Sequence, residues 1–267
     1  MKLKKEEVFD QLIDNTDWGI KAIKADQVWD KTKGAGVKIL VIDTGIDMDH
    51  PDLKHSFKLG INMFEQSRDV TDIYGHGTHV AGLIAGKYTG VAPEADLYIA
   101  KVLNDKGRGS MASVMDGITF AMNMKIDVLC MSLGVPDELP IIVRERIAQA
   151  NQSGISIVCA TGNDGRDDAD YPAHMDEVIA VGGLDRSLNI SSFSNGGYDV
   201  LAPSVDIFST YKNGKYAKMT GTSMASPLVA GGIALLISYY RNKGLEINSK
   251  DIKNLVNGNF DLTTLIP

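Results

Sequence analysis

Short runs of apolar, largely β-branched residues alternate with helix-periodic stretches along most of this chain. Val37 to Ile42 is apolar apart from Lys38, and Ala95 to Leu103, Ile126 to Leu133, Ile155 to Ala160 and Val178 to Val181 read similarly. Between them lie helical stretches at about Thr78–Ala85, Ser110–Met124 and Leu139–Gln152, with Val114, Ile118 and Met122 recurring on one face of the second. A long apolar helix is predicted from Ser223 to about Tyr240, followed by the segment Ser249–Asn257 and an apolar tail. Continuous apolar strands are those buried on both faces, and helices between them are the crossovers of a parallel sheet. The pattern predicts an α/β fold: a single doubly wound domain, its mostly parallel sheet flanked by helices. No repeat or linker divides it. In such sheets the active site lies beyond the carboxyl ends of the strands, so residues there are the candidates for chemistry.

The 267 residues are 44% apolar and 23% charged, a globular balance that excludes a disordered chain. A domain of that length needs no metal or disulfide staple. The net charge of −7 argues against a general nucleic-acid binder, which presents a basic face to phosphates. No unbroken apolar run reaches the roughly 18 residues of a membrane span. The opening Met-Lys-Leu-Lys-Lys-Glu-Glu is not followed by the apolar stretch and cleavage site of a secretory signal. Cys130 and Cys159 both sit in apolar runs, which fits buried reduced thiols better than a disulfide. Together these features predict a cytoplasmic protein without membrane or nucleic-acid partners.

Three segments then change the picture. Asp43 ends the first buried strand in Val41-Ile42-Asp43-Thr44-Gly45; His76 opens a helix in Gly75-His76-Gly77-Thr78-His79; Ser223 opens the long apolar helix in Gly221-Thr222-Ser223-Met224-Ala225-Ser226-Pro227. Singly, each reads as a turn former or a helix cap. Together they supply nucleophilic acyl transfer: Ser223 attacks a carbonyl, His76 takes its proton, and Asp43 holds the imidazole's tautomer. Pro227, lacking an N–H, cannot bond the Ser223 carbonyl four residues earlier, so the first turn is expected to be irregular beside the nucleophile.

From Trp18 to Arg241 the chain resembles the subtilisin-like serine proteases (subtilases), and the order acid, base, nucleophile is theirs. The resemblance implies that Asn163, in Thr161-Gly162-Asn163-Asp164-Gly165, donates its amide to the tetrahedral oxyanion beside the Ser223 N–H. It also implies a cleft between two edges, Ser132-Leu133-Gly134 and Gly107-Arg108-Gly109, binding extended peptide through main-chain hydrogen bonds. Met111 would line an apolar pocket four residues before the cut, or be ordinary helix packing. Asp164 begins the segment that walls the pocket for the residue before the cut. With Asp167, Asp168 and Asp170 it would favour lysine or arginine there, unless these aspartates form a solvated loop facing away.

The implied activity is that of a serine endopeptidase acting on peptide or protein substrates through an acyl-enzyme. It would serve either intracellular protein turnover or processing of a peptide precursor, such as leader removal in lantibiotic maturation. The alternative is a catalytically silent peptide-binding pseudoprotease. Residues 1–17 are expected to form a short N-terminal arm on the surface and residues 18–267 the peptidase domain. His79 is expected to be buried and hydrogen-bonded, His50 to be a turn residue, and His55 and His174 to be solvated. Leu228, where most relatives have histidine, reads as helix packing. The chain stops without the Gly-rich strand many relatives add, so one sheet edge is expected to be bare. No residue spacing suggests catalytic zinc, and no cofactor is expected, with calcium at sites other than the one near Asp52 left open. Gly86-Lys87-Tyr88-Thr89-Gly90 is shorter than the calcium loop of many relatives, so calcium binding near Asp52 is expected to be lost, with Asp52 a surface turn residue.

Overall fold

A computed structural model of the chain describes residues 6–13, 16–258 and 260–267. The strands are β1 (Glu6–Phe9), β2 (Lys38–Asp43), β3 (Phe57–Asn62), β4 (Asp96–Lys101), β5 (Val128–Met131), β6 (Ser156–Ala160), β7 (Val178–Leu184), β8 (Val200–Pro203), β9 (Ile207–Tyr211) and β10 (Lys215–Met219). The helices are α1 (Trp18–Ala22), α2 (His76–Ala85), α3 (Met111–Met124), α4 (Ile141–Gln152), α5 (Thr222–Asn242), α6 (Ser249–Val256) and α7 (Leu262–Leu265).

Seven strands pair in the order β3-β4-β2-β5-β6-β7-β8, every pair parallel. Alternation along β2 shows why these strands read as continuous apolar runs. Ile39 and Val41 face one core layer with α2 and α5, while Leu40 and Ile42 face another with α3 and α4. The expected doubly wound α/β domain is therefore present. An 18-residue window of α5 averages a hydropathy of 1.4, long and apolar enough to cross a bilayer, yet the whole window is buried in the fold. Leu228 is among its core residues. Cys130 and Cys159 are buried free thiols on neighbouring strands that belong to opposite layers. Burial pushes Cys130 up to about 12 and raises Cys159 well above the ordinary thiol range, so neither is a thiolate nucleophile.

A second sheet, antiparallel in the order β1-β10-β9, was not foreseen. The N-terminal arm contributes to it: Glu6 to Phe9 pair with Met219 to Tyr216 as an edge strand, with Val8 44% and Ile13 51% exposed at the surface. The sheet packs on α2. Ser209 and Thr210 donate their hydroxyls to the carbonyls of His79 and Thr78 at 2.8 and 2.7 Å. His79 Nε2 lies 3.1 and 3.0 Å from the carbonyls of Ile207 and Ala217, clamping both strands to the helix. Burial holds this imidazole down at about 3, so it is a neutral donor throughout the physiological range.

Two further expectations are corrected. The edge of β8 is not wholly bare, because its first residue, Val200, bridges Gly258 and the Gly258 N–H donates to the Asp199 carbonyl at 2.9 Å. Asp52 is not a surface residue but 0% exposed. Its carboxylate accepts from the Tyr88 N–H at 2.7 Å and the Thr89 hydroxyl at 2.8 Å, so the short loop folds down onto it. His50 is also inside, bonding Lys215 O and the Asp52 N–H. His55 and His174 lie at the surface, against Pro93 O and Asp168.

Candidate active site

Asp43 is the last residue of β2 and His76 the first of α2, so the site begins where a central strand ends and a buried helix starts. Gly75, just before the helix, has φ 104°, and a Cβ there would stand 2.3 Å from the Tyr211 ring. Only glycine fits that approach. Both oxygens of Asp43 lie 2.8–2.9 Å from His76 Nδ1, with both side chains fully buried. Donation from Nδ1–H to the carboxylate leaves the Nε2 lone pair as the base. Nε2 is buried and has no hydrogen-bond partner among the described residues.

The pair is held by Asp72, which sequence reasoning missed. Its carboxylate accepts from the Thr44 hydroxyl (2.9 Å), the N–H groups of Tyr74 (3.1 Å), Gly75 (2.8 Å) and Thr78 (2.8 Å), and the Thr78 hydroxyl (2.7 Å). Thr44 in turn donates its N–H to Asp43 Oδ1 at 2.7 Å and accepts from the Gly77 N–H at 2.9 Å. Lys101, nearly buried, caps the Thr44 and Thr71 carbonyls at 2.8 and 2.9 Å. The only available signal was an acid four residues before His76.

Ser223 is the second residue of α5. Its Oγ donates to the Ser132 carbonyl at 3.3 Å. Hydrogen bonds between a nucleophile and its base often tighten only with substrate present. Pro227 lies inside the helix, and the Ser223 carbonyl it cannot serve accepts the Ser132 hydroxyl instead, at 3.1 Å. Ser132 Oγ is also 2.8 Å from Ser226 Oγ. The irregular first turn is thus tied to the edge expected to bind substrate.

Asn163 faces the same helix start. Thr222 donates its N–H to Asn163 Oδ1 at 2.8 Å, and the Thr222 hydroxyl lies 3.1 Å from that oxygen. With Oδ1 so committed, the amide's orientation is set and Nδ2 is the group left for the pocket. Thr222 is a second positioning residue that the sequence did not disclose.

Ser132, Leu133, Gly134, Asn163, Asp164 and Ser223 line one pocket of about 220 Å3. Asp164 is half exposed and lies 3.4 Å from Arg166, whereas Asp170 is turned inward with its side chain 11% exposed. Asn195 organises this loop, accepting from the N–H groups of Asp164 and Arg166 and donating to Thr161 O and Asp170 Oδ1. Burial raises the Asp170 carboxyl above the ordinary range; Arg166 and Asn195 oppose that rise and Asp164 adds to it. Gly107, Arg108, Gly109 and Met111 line a larger cleft of about 370 Å3, facing Leu133 and Gly134 across it. Met111 is the first residue of α3, is 37% exposed and lines this wall.

A base held in one tautomer by a buried carboxylate at the start of α2, with a serine at the start of α5, the helix packed against α2, and an amide fixed to that same helix start, is machinery for acyl transfer by a serine hydrolase. Comparison with known proteins identifies which kind. Residues 34–261 match the subtilase family. Over 243 residues, 85% of this chain, the sequence is 43% identical to an intracellular serine protease of Paenibacillus polymyxa, covering 74% of that protein. It is 44% identical over 239 residues (83% of this chain) to the major intracellular serine protease of Bacillus subtilis (strain 168), covering 75% of it. Subtilisin DY of Bacillus licheniformis is 43% identical over 235 residues, 84% of this chain and 85% of that protein. The chain belongs to the subtilase family and is a subtilisin-like serine endopeptidase.

The fixed amide generates a prediction. Asn163→Ala is expected to lower kcat on a peptide amide by roughly a hundredfold or more with little change in KM, because the oxyanion exists only past the ground state. Steady-state kinetics at matched folded concentration checks it, and near-native turnover would contradict it.

Proposed function

We propose that this endopeptidase works in the cytoplasm in protein turnover, with Asp43, His76 and Ser223 as its triad and Asn163 as an oxyanion donor. The observation that carries the reading is the buried Asp43–His76 pair, set at 2.8 Å and leaving Nε2 as an unpartnered base among the described residues. In acylation, Nε2 takes the Ser223 proton as Oγ bonds the scissile carbonyl carbon. The resulting oxyanion accepts from Asn163 Nδ2 and the Ser223 N–H at the start of α5. Collapse breaks the C–N bond, and the imidazolium returns its proton to the leaving amine. Water then repeats the sequence on the acyl-enzyme, restoring Ser223.

Turnover fits a cleft whose walls are largely main chain and apolar side chains, since a peptide bound through its backbone imposes little sequence. The cytoplasmic setting is supported by the relatives named intracellular. Dedicated removal of a leader peptide would instead show as one efficient cut in one precursor.

Calcium near Asp52 is not part of this proposal. A hard cation wants six to eight oxygen ligands, yet both Asp52 oxygens already face protein donors, an N–H and a hydroxyl. Among the described residues no three His, Cys, Asp or Glu side chains are grouped to hold a metal.

Two outcomes follow. A fluorophosphonate probe is expected to label the native chain and not Ser223→Ala, while unfolded protein stays unlabelled; failure to label the native chain would refute the enzyme mechanism. Asp52→Ala is expected to lower the melting temperature equally with and without chelator, by an amount matching about 1–3 kcal/mol for stranded buried donors. A chelator-induced fall in the native chain that Asp52→Ala abolishes would contradict it.

A further inference from the structure

The pocket beside Ser223 ends on a charged floor. Asp170 Oδ1 takes both of that side chain's protein bonds, from Arg166 and from Asn195 Nδ2 at 3.1 Å. Oδ2 takes none among the described residues. It lies against two glycines of the pocket wall, where a Cβ on Gly162 or Gly134 would stand 2.7 or 3.8 Å from it. Asp170 itself lines the pocket, as do both of those glycines, and no lysine, arginine or histidine does so among the described residues, so the pocket brings no cation to this carboxylate.

A carboxylate oxygen in so enclosed a place is costly without a donor, and an apolar substrate side chain would worsen that by excluding solvent. A basic side chain supplies the donor. Its methylene stem has Leu133, Pro136 and Ala160 to pack against on the way down. We propose that Asp170 is the specificity-determining residue of this pocket and selects a lysine or arginine immediately before the scissile bond, with Arg166 as its resident counter-charge.

Arg166 also pairs with Asp164, so two carboxylates share one guanidinium and the cluster keeps a net negative charge. Asp164, half exposed at the mouth, contributes an attraction that solvent and salt screen. The selective contact is therefore assigned to the enclosed carboxylate and not to Asp164. The inference rests on the endopeptidase mechanism proposed above.

The test compares kcat/KM on peptides differing only before the cut (lysine, arginine, leucine or phenylalanine), each preparation normalised by fluorophosphonate titration of Ser223. The lysine-to-leucine ratio is expected to exceed one in the native chain, to fall roughly tenfold or more in Asp170→Asn, and to rise in Arg166→Ala. A native ratio below one, or an unchanged ratio in Asp170→Asn that still titrates, overturns the proposal and leaves the endopeptidase mechanism standing. A larger fall in Asp164→Asn overturns the assignment to Asp170. Should Asp170→Asn fail to fold, Arg166→Ala decides, an unchanged or lowered ratio overturning the proposal. A native chain that does not titrate overturns both.

Discussion

Five hydrogen bonds converge on the buried carboxylate of Asp72, and through them the acid and the base of the site are built as one unit. An ionised group out of water is tolerated only when its lone pairs are met, and here the donors that meet them come from two different elements. Thr44 follows the strand that delivers Asp43; Gly75 and Thr78 bracket the helix start that delivers His76. The loop between strand and helix cannot shift without stranding either the carboxylate or its donors. Positioning of this kind is how a mobile imidazole is held at 2.8 Å from its partner before any substrate arrives.

The proposed nucleophile, Ser223, comes from elsewhere in the fold, and a different device brings it in. β10 leads directly into α5, and β10 belongs to the small antiparallel sheet that His79, Ser209 and Thr210 fasten to the back of α2. One helix therefore carries the base at its first residue and anchors the strand that aims the serine. On the substrate side, the carbonyl left over by Pro227 is satisfied by Ser132, which ties the nucleophile's turn to the edge of the cleft. Charge in the adjacent pocket follows the same rule: Asn195 and Arg166 satisfy one oxygen of Asp170, and the other has no hydrogen-bond donor among the described residues.

What the sequence disclosed was whatever depends on local pattern. Buried strands such as Val37–Ile42 show as unbroken apolar runs, and Asp43, His76, Ser223 and Asn163 sit in short glycine-rich segments whose residue types suit the chemistry. What it withheld depends on contacts distant in the chain. Asp52 looked like an exposed turn acid because its donors are 36 and 37 residues further on. Four aspartates follow Asn163 within a few residues, and which of them turns inward is decided by Asn195, 25 residues beyond Asp170. Glu6–Phe9 is too short and too polar to announce a strand, and becomes one only because β10 offers an edge.

The central claim is that the Asp72 carboxylate, itself 3% exposed, sets the geometry of the proposed acid and base. Asp72→Asn tests it most directly, because the replacement is isosteric yet turns an NH2 toward backbone N–H donors whichever way the amide lies. The measurement is the rate of fluorophosphonate labelling of Ser223, with peptide kcat and KM alongside, in protein shown to be folded. The account predicts labelling and kcat reduced on the order of a hundredfold, with KM little changed. Native labelling and kcat in the folded variant would contradict it.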